Sequence, residues 1–125
     1  MTEKRNQNSD PRANVLGVGV SAINLDVALA RVARALESKT KGYICVTAVH
    51  GVSEAQNDPS FRAILNRAFV NTPDGIPTVW VGRLQGFRTM DRVYGPDLML
   101  AVCQFPIGRG FTHFLTAARR AWLRN

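Results

Sequence analysis

The run Tyr43-Ile44-Cys45-Val46-Thr47-Ala48-Val49 is apolar and β-branched with no polar alternation. A strand of that kind has no face to offer water, so it belongs in a sheet covered on both sides, as parallel sheets flanked by helices are. The segment before it supplies a cover. Asn24 is a good N-cap, and Asp26 in the first turn complements the helix dipole. Leu25, Ala28, Leu29, Val32 and Leu36 then recur at spacings of three and four, the apolar stripe of an amphipathic helix that ends over Glu37 to Gly42. A short β-rich run, Val15 to Val20, precedes it. Strand, amphipathic helix and buried strand together predict a parallel βαβ unit. Gly17-Val18-Gly19 lacks the third glycine of a dinucleotide fingerprint and is set aside.

Beyond Val49, His50-Gly51 reads as a turn, with a helix beginning over Val52 to Gln56. Asp58-Pro59 marks a fresh helix start, Asp as cap and Pro at the first helical position, with Phe61, Ile64, Leu65 and Ala68 as its buried face. A strand over Ala68 to Val70 leads into Asn71-Thr72-Pro73-Asp74-Gly75-Ile76-Pro77. There Pro73 presets φ and Gly75 tolerates φ above zero. Ile76 to Leu84 is expected as an apolar helix ending near Gly86, with Trp80 in the core. Thr89 to Tyr94 is a loop or short strand, Gly95-Pro96-Asp97 opens another helix, and Phe111 to Leu115 is one more strand. The order is that of an α/β domain, a Rossmann-like, mostly parallel sheet with flanking helices.

That topology gives the Pro73-Asp74-Gly75 turn its interest. α/β proteins bind ligands outside the carboxyl ends of their strands, and Asp74 lies at such an end. The plain alternative is a tight turn with a solvated Asp. Charge points to the partner: the formal net charge is +7, scattered rather than blocked, so an anionic partner is expected among phosphorylated metabolites, a membrane surface or nucleic acid. No nucleic-acid module and no stripe of Lys and Arg alternating with aromatics accompanies it, so nucleic acid is not the partner read here. Cys45 and Cys103 sit in apolar runs and are expected as buried free thiols of a reducing cytoplasm, not a disulfide or metal pair. Met1 to Asn14 lacks periodicity and reads as a flexible lead-in without a secretory signal, and no run approaches membrane-span length.

From Val15 to Leu115 the chain resembles the WecG/TagA/CpsF family of bacterial glycosyltransferases. The resemblance is carried, in order, by Val15-Leu16-Gly17-Val18 with Asn24-Leu25-Asp26, by Val46-Thr47-Ala48-Val49-His50-Gly51-Val52, and by Asp58-Pro59-x-Phe61-Arg62-x-Ile64-Leu65-Asn66-x-Ala68. Thr72-Pro73-Asp74-Gly75-x-Pro77-x-Val79-Trp80 and Asp91-Arg92-Val93-Tyr94-Gly95-Pro96-Asp97-Leu98-Met99 follow. It implies transfer of an N-acetylhexosamine, typically N-acetylmannosamine, from a UDP-sugar to a polyprenyl-diphosphate-linked sugar acceptor. The products would feed wall teichoic acid, enterobacterial common antigen, capsule or exopolysaccharide. It implies no metal and no other cofactor, and work at the cytoplasmic face of the membrane as a peripheral protein. Homo-oligomerisation stays open. Asp74 would be the catalytic base, Thr47 would stand near the sugar donor, and Arg92 would stabilise the departing diphosphate, a task that suits a bidentate guanidinium. Many members carry Asn where this chain has Val49, which leaves a polar sugar contact to the neighbouring His50, the alternative being that His50 is a loop histidine of no special role.

Residues 15–115 thus read as the N-terminal part of a catalytic domain, and 116–125 as an aberrant basic tail. Family members usually continue with Tyr-Gly-Gly-Lys-x-Gly-x-Ala-Glu, a loop whose N–H groups suit phosphate oxygens. This chain has Leu115-Thr116-Ala117-Ala118-Arg119-Arg120-Ala121-Trp122-Leu123-Arg124-Asn125. Codon degeneracy allows the frame beside Thr116 to Asn125 to read Tyr-Gly-Gly-Lys-Ala-Gly-Val-Ala-Glu-Glu, so a one-base deletion near the Leu115 codon is expected. The other reading is a non-catalytic remnant or small anion-binding interaction protein. The polypeptide alone is expected to show no transferase turnover; sugar transfer from a UDP donor in a product assay refutes this.

Overall fold

The computed structural model describes residues 10–104 and 111–116. Within them the chain is a mixed α/β structure whose strands form two separate pairs. Strands β1 (Arg12–Val15) and β2 (Val18–Ser21) make an antiparallel hairpin, with Val15 opposite Val18. The single strand expected over Val15 to Val20 is therefore two half-strands. Leu16 and Gly17, at φ 50° and 88°, make the two-residue turn in the left-handed conformation that matches the twist of paired strands. Leu16 is a costly residue for that region, and its side chain is exposed. Residues 12–14, read as part of a flexible lead-in, belong to β1. Asp10 accepts two hydrogen bonds from Arg31, at 2.9 and 2.8 Å, and this bonding pushes the Arg31 guanidinium further up in pKa.

Helix α1 (Leu25–Glu37) starts as expected, Asn24 Oδ1 accepting the Val27 N–H at 3.0 Å. Strand β3 (Ile44–Thr47) then pairs in parallel with β4 (Val70–Pro73), Ile44 opposite Val70 and Thr47 opposite Pro73. The crossover is a helix pair, α2 (Val49–Asn57) and α3 (Pro59–Arg67), and Asp58 caps the second by accepting the Phe61 N–H. The parallel unit is thus β3–α2–α3–β4, whereas the expected ladder between the first strand and β3 does not form. Helix α2 also takes His50 and Gly51 into its first turn instead of starting after them. The chain continues through α4 (Ile76–Leu84), a loop to Tyr94, and α5 (Gly95–Gln104).

Two apolar clusters hold these parts. One lies between the hairpin and α2–α3, around Val18, Val20, Ala55, Leu65 and Met90; the other joins α1 and α5 to β4 through Ile23, Ala28, Val70, Val93 and Leu98. Met90 is fully buried against Gly82 of α4, where any Cβ would collide with its sulfur.

Several expectations are corrected. Strand β3 is not buried on both faces: Val46 is 44% exposed, and among the described residues only β4 flanks it. Trp80 is 61% exposed, because α4 turns Thr78, Val79 and Gly82 inward and leaves Ile76, Trp80 and Leu84 outside at a spacing of four. Ile64 likewise faces outward on α3. Phe111 to Leu115 forms no strand, and Phe114 is exposed. Both cysteines are free, but Cys103 is exposed and only Cys45 is half-buried, its thiol pushed up in pKa by that burial. The tail from 117 to 125 lies outside the described residues.

The hairpin reaches the parallel pair through side chains. Arg12 donates from Nη1 to the Gly19 carbonyl at 3.2 Å and from Nη2 to the Ala68 carbonyl, at the junction of α3 and β4. Its burial lowers the guanidinium pKa, against attraction from Cys45, Asp10 and Tyr43. Asn66 completes the edge of β2, accepting the Gly19 N–H at 2.8 Å and donating to the Gly17 carbonyl at 3.0 Å. Arg12→Met keeps the aliphatic stem and removes the donors. It should lower stability by about 2 kcal/mol, the worth of hydrogen bonds from a charged group, read as a lower urea midpoint at unchanged slope.

Candidate functional site

Strand β4 runs through Pro73, three residues further than the apolar run suggests, and delivers Asp74 to its carboxyl end. The Asp74 N–H donates to the Thr47 carbonyl at 3.0 Å, so the ladder between β3 and β4 continues one bond past the strands and fixes the Asp74 backbone. Gly75 follows at φ 125°, a conformation only glycine adopts without strain, and α4 begins at Ile76. Thr78 Oγ1 donates to the Gly75 carbonyl at 2.8 Å and holds the turn closed.

The Asp74 side chain is 23% exposed, and its Oδ1 lies 3.5 Å from Arg92 Nε. Arg92 comes from the loop between α4 and α5, which is tied down on several sides. The Val93 N–H donates to the Pro73 carbonyl at 2.7 Å, and the Asp91 N–H donates to the Ile23 carbonyl at 3.1 Å. Arg83 Nε donates to the Met90 carbonyl at 3.0 Å. The Arg92 guanidinium carbon sits 4.7 Å from the centroid of the Tyr94 ring. With Arg92 44% exposed, the ion pair contributes at most about 1 kcal/mol to stability. Its weight is in position: a carboxylate and a guanidinium share one strand end.

The other two residues singled out from sequence fall differently. Thr47 is 2% exposed, and its hydroxyl donates to Asn71 Oδ1, so what it turns toward Asp74 is its main-chain carbonyl. His50 stands in the first turn of α2 with its side chain 87% exposed and Glu54 3.8 Å away; no contact brings it to Asp74 or Arg92. Val49, half exposed, lines an apolar cleft of about 390 Å³ with Val52, Leu16, Pro77 and Val81. The cleft lies between the hairpin turn and the first turns of α2 and α4.

Sequence reading missed Asn71 and Tyr94 as parts of the site. Asn71, taken for a turn residue, is a fully buried strand residue. Its amide joins Thr47 to β2, donating from Nδ2 to the Gly19 carbonyl at 3.1 Å. The available signal was a polar side chain directly preceding Thr72-Pro73 in an otherwise apolar stretch. Tyr94 lay in the family motif that carries Arg92, but nothing in the sequence set its ring against the guanidinium. Among the described residues no three His, Cys, Asp or Glu side chains gather as metal ligands.

Residues 13–125 match the family model described as Glycosyl transferase WecG/TagA/CpsF family. No curated protein matches the chain. Thr47→Val removes the hydroxyl at constant shape and leaves the buried Asn71 oxygen without its donor. It should cost about 1–2 kcal/mol in thermal denaturation, with Thr47→Ser recovering most of the loss. Unchanged stability of the Val variant would show that the hydroxyl serves no structural bond.

Proposed function

We propose, for a chain that belongs to the WecG/TagA/CpsF glycosyltransferase family, that Asp74 and Arg92 are the base and the anion-stabilising cation of sugar transfer. The family is one of glycosyltransferases in cell-surface polysaccharide synthesis. The donor proposed here is a UDP-N-acetylhexosamine and the acceptor a polyprenyl-diphosphate-linked sugar. The observation that carries the reading is the pairing of a part-buried carboxylate with a guanidinium at the carboxyl end of a parallel strand.

In the proposed step an acceptor hydroxyl oxygen attacks the anomeric carbon and passes its proton to the Asp74 carboxylate. The bond from that carbon to the diphosphate oxygen breaks, and its electron pair leaves with UDP from the opposite face. Arg92 opposes the charge growing on the diphosphate, as a bidentate donor that stays protonated. Thr47 acts through its main-chain carbonyl, which orients Asp74. His50, directed outward, would meet only substrate groups lying beyond the Asp74–Arg92 centre. No described helix is long and apolar enough to cross a membrane, and a net charge of +7 supports contact with an anionic membrane surface where a lipid-linked acceptor resides.

The second reading, a non-catalytic anion-binding protein, rests on the exposure of Arg92, which would hold an anion whatever Asp74 does. Asp74→Asn separates the two. The pair of proteins is assayed as the chain stands and with residues 116–125 replaced by the Tyr-Gly-Gly-Lys-Ala-Gly-Val-Ala-Glu-Glu of the neighbouring frame. Where wild type turns over, the variant should lose at least about 100-fold in rate while still binding UDP. Full activity in Asp74→Asn would remove Asp74 as the base, and UDP binding without turnover in every form would favour the second reading.

A further inference from the structure

Arg92 has three sides, and the described residues occupy two. Its Nε faces Asp74 at 3.5 Å, and the guanidinium carbon lies over the Tyr94 ring, 4.7 Å from the centroid. Among the described residues neither Nη atom donates a hydrogen bond. The Asp74 contact is too long to lock a side chain with several rotatable bonds, which would otherwise lose about 2 kcal/mol of rotamer freedom to hold one pose. Another group must hold the guanidinium if its open edge is to meet a ligand in one orientation.

We infer that Tyr94 is a positioning residue, whose ring holds the Arg92 guanidinium beside Asp74 with its Nη edge turned to a diphosphate. The inference rests on the reading of Arg92 as the cation of the transfer site. The Tyr94 backbone is well placed to serve as a fixed platform. Val93, the residue between the pair, is fully buried and donates its N–H to the Pro73 carbonyl at 2.7 Å. The Tyr94 carbonyl accepts the Leu98 N–H at 3.0 Å, which makes Tyr94 the root of α5. Strand β4 therefore locates Asp74, while the same strand end and α5 locate the ring. Two anchors set independently of the Arg92 side chain define where that side chain rests. The Tyr94 hydroxyl has no hydrogen bond among the described residues, so the ring face is what acts. Cation and ring attract through the ring quadrupole, and N–H donors not turned to the ring stay free, as bidentate phosphate recognition requires.

The test uses the whole chain, with inorganic pyrophosphate and UDP as probes, and follows the Arg92 Nε–Hε signal by NMR. In wild type that signal should be displaced by the ring current and should move on titration with either probe. Tyr94→Phe should keep the displacement and hold the affinity within about twofold, while Tyr94→Leu should abolish the displacement and weaken binding about fivefold. In an Arg92→Gln background, Tyr94→Leu should add no further loss, because a platform with nothing to carry has no effect. Equal affinity in Tyr94→Leu, or the same penalty with and without Arg92, would overturn the positioning role and leave Arg92 as the cation. Should Tyr94→Leu not fold, an Nε–Hε signal of Arg92 that sits undisplaced, at the position of an exposed arginine, in both wild type and Tyr94→Phe overturns it equally. Failure of both probes to bind wild type would remove Arg92 as a diphosphate cation, and the inference with it.

Discussion

One buried amide joins the two halves of this structure. The antiparallel hairpin and the parallel pair share no ladder, so nothing in regular β pairing connects them. Asn71 makes the connection from the first half of β4. Its main-chain N–H reaches Ser21 Oγ at 3.0 Å, its Nδ2 reaches the Gly19 carbonyl, and its Oδ1 receives the Thr47 hydroxyl. Three polar groups of a residue with no exposed surface are thereby satisfied. A single lost partner in such a place costs about 1–3 kcal/mol, a large share of a small domain's stability. Arg12 and Asn66 reinforce the same seam from the hairpin side and from α3.

The site depends on that seam. Thr47, held by Asn71 through its side chain, holds Asp74 through its carbonyl; Pro73, beside Asp74, receives the Val93 N–H that seats the loop bearing Arg92. Each link is a directional bond to main chain or a fully buried partner. The Asp74–Arg92 contact is long and part-exposed, so it is a consequence of this scaffold and not its cause. An acid and a cation that meet only because the backbone brings them together remain available to a ligand, which a tight buried pair would not be.

The local signals in the sequence were legible where a side chain bonds to its own neighbourhood. Asn24 and Asp58 cap the helices they were read to cap, and Gly75 takes the positive φ that the Pro-Asp-Gly turn demanded. The position of Asp74 at a strand end followed from the same turn. Misreadings came where the outcome depends on what lies across space. Val15 to Val20 has the composition of one strand, but the left-handed pair Leu16-Gly17 folds it back, and Leu16 is a residue few would place there. Trp80 is apolar enough for a core, yet the register of α4 is set by Gly82 meeting Met90, and this turns Trp80 outward. His50 looked like a strand-end loop residue and became part of the exposed surface of α2 once the helix began earlier.

By itself, the sequence determined the order of the helices, the caps of α1 and α3, the glycine turn, and the family motifs that name the chemistry. These follow from forces acting within a few residues: φ restrictions, capping hydrogen bonds and the 3.6-residue period of helix faces. Only the tertiary structure decided that β3 pairs with β4, that Asn71 is buried between two strand pairs, and that Tyr94 lies beneath Arg92. Those outcomes depend on which distant groups can satisfy one another's hydrogen bonds when water is removed, and no local pattern records that.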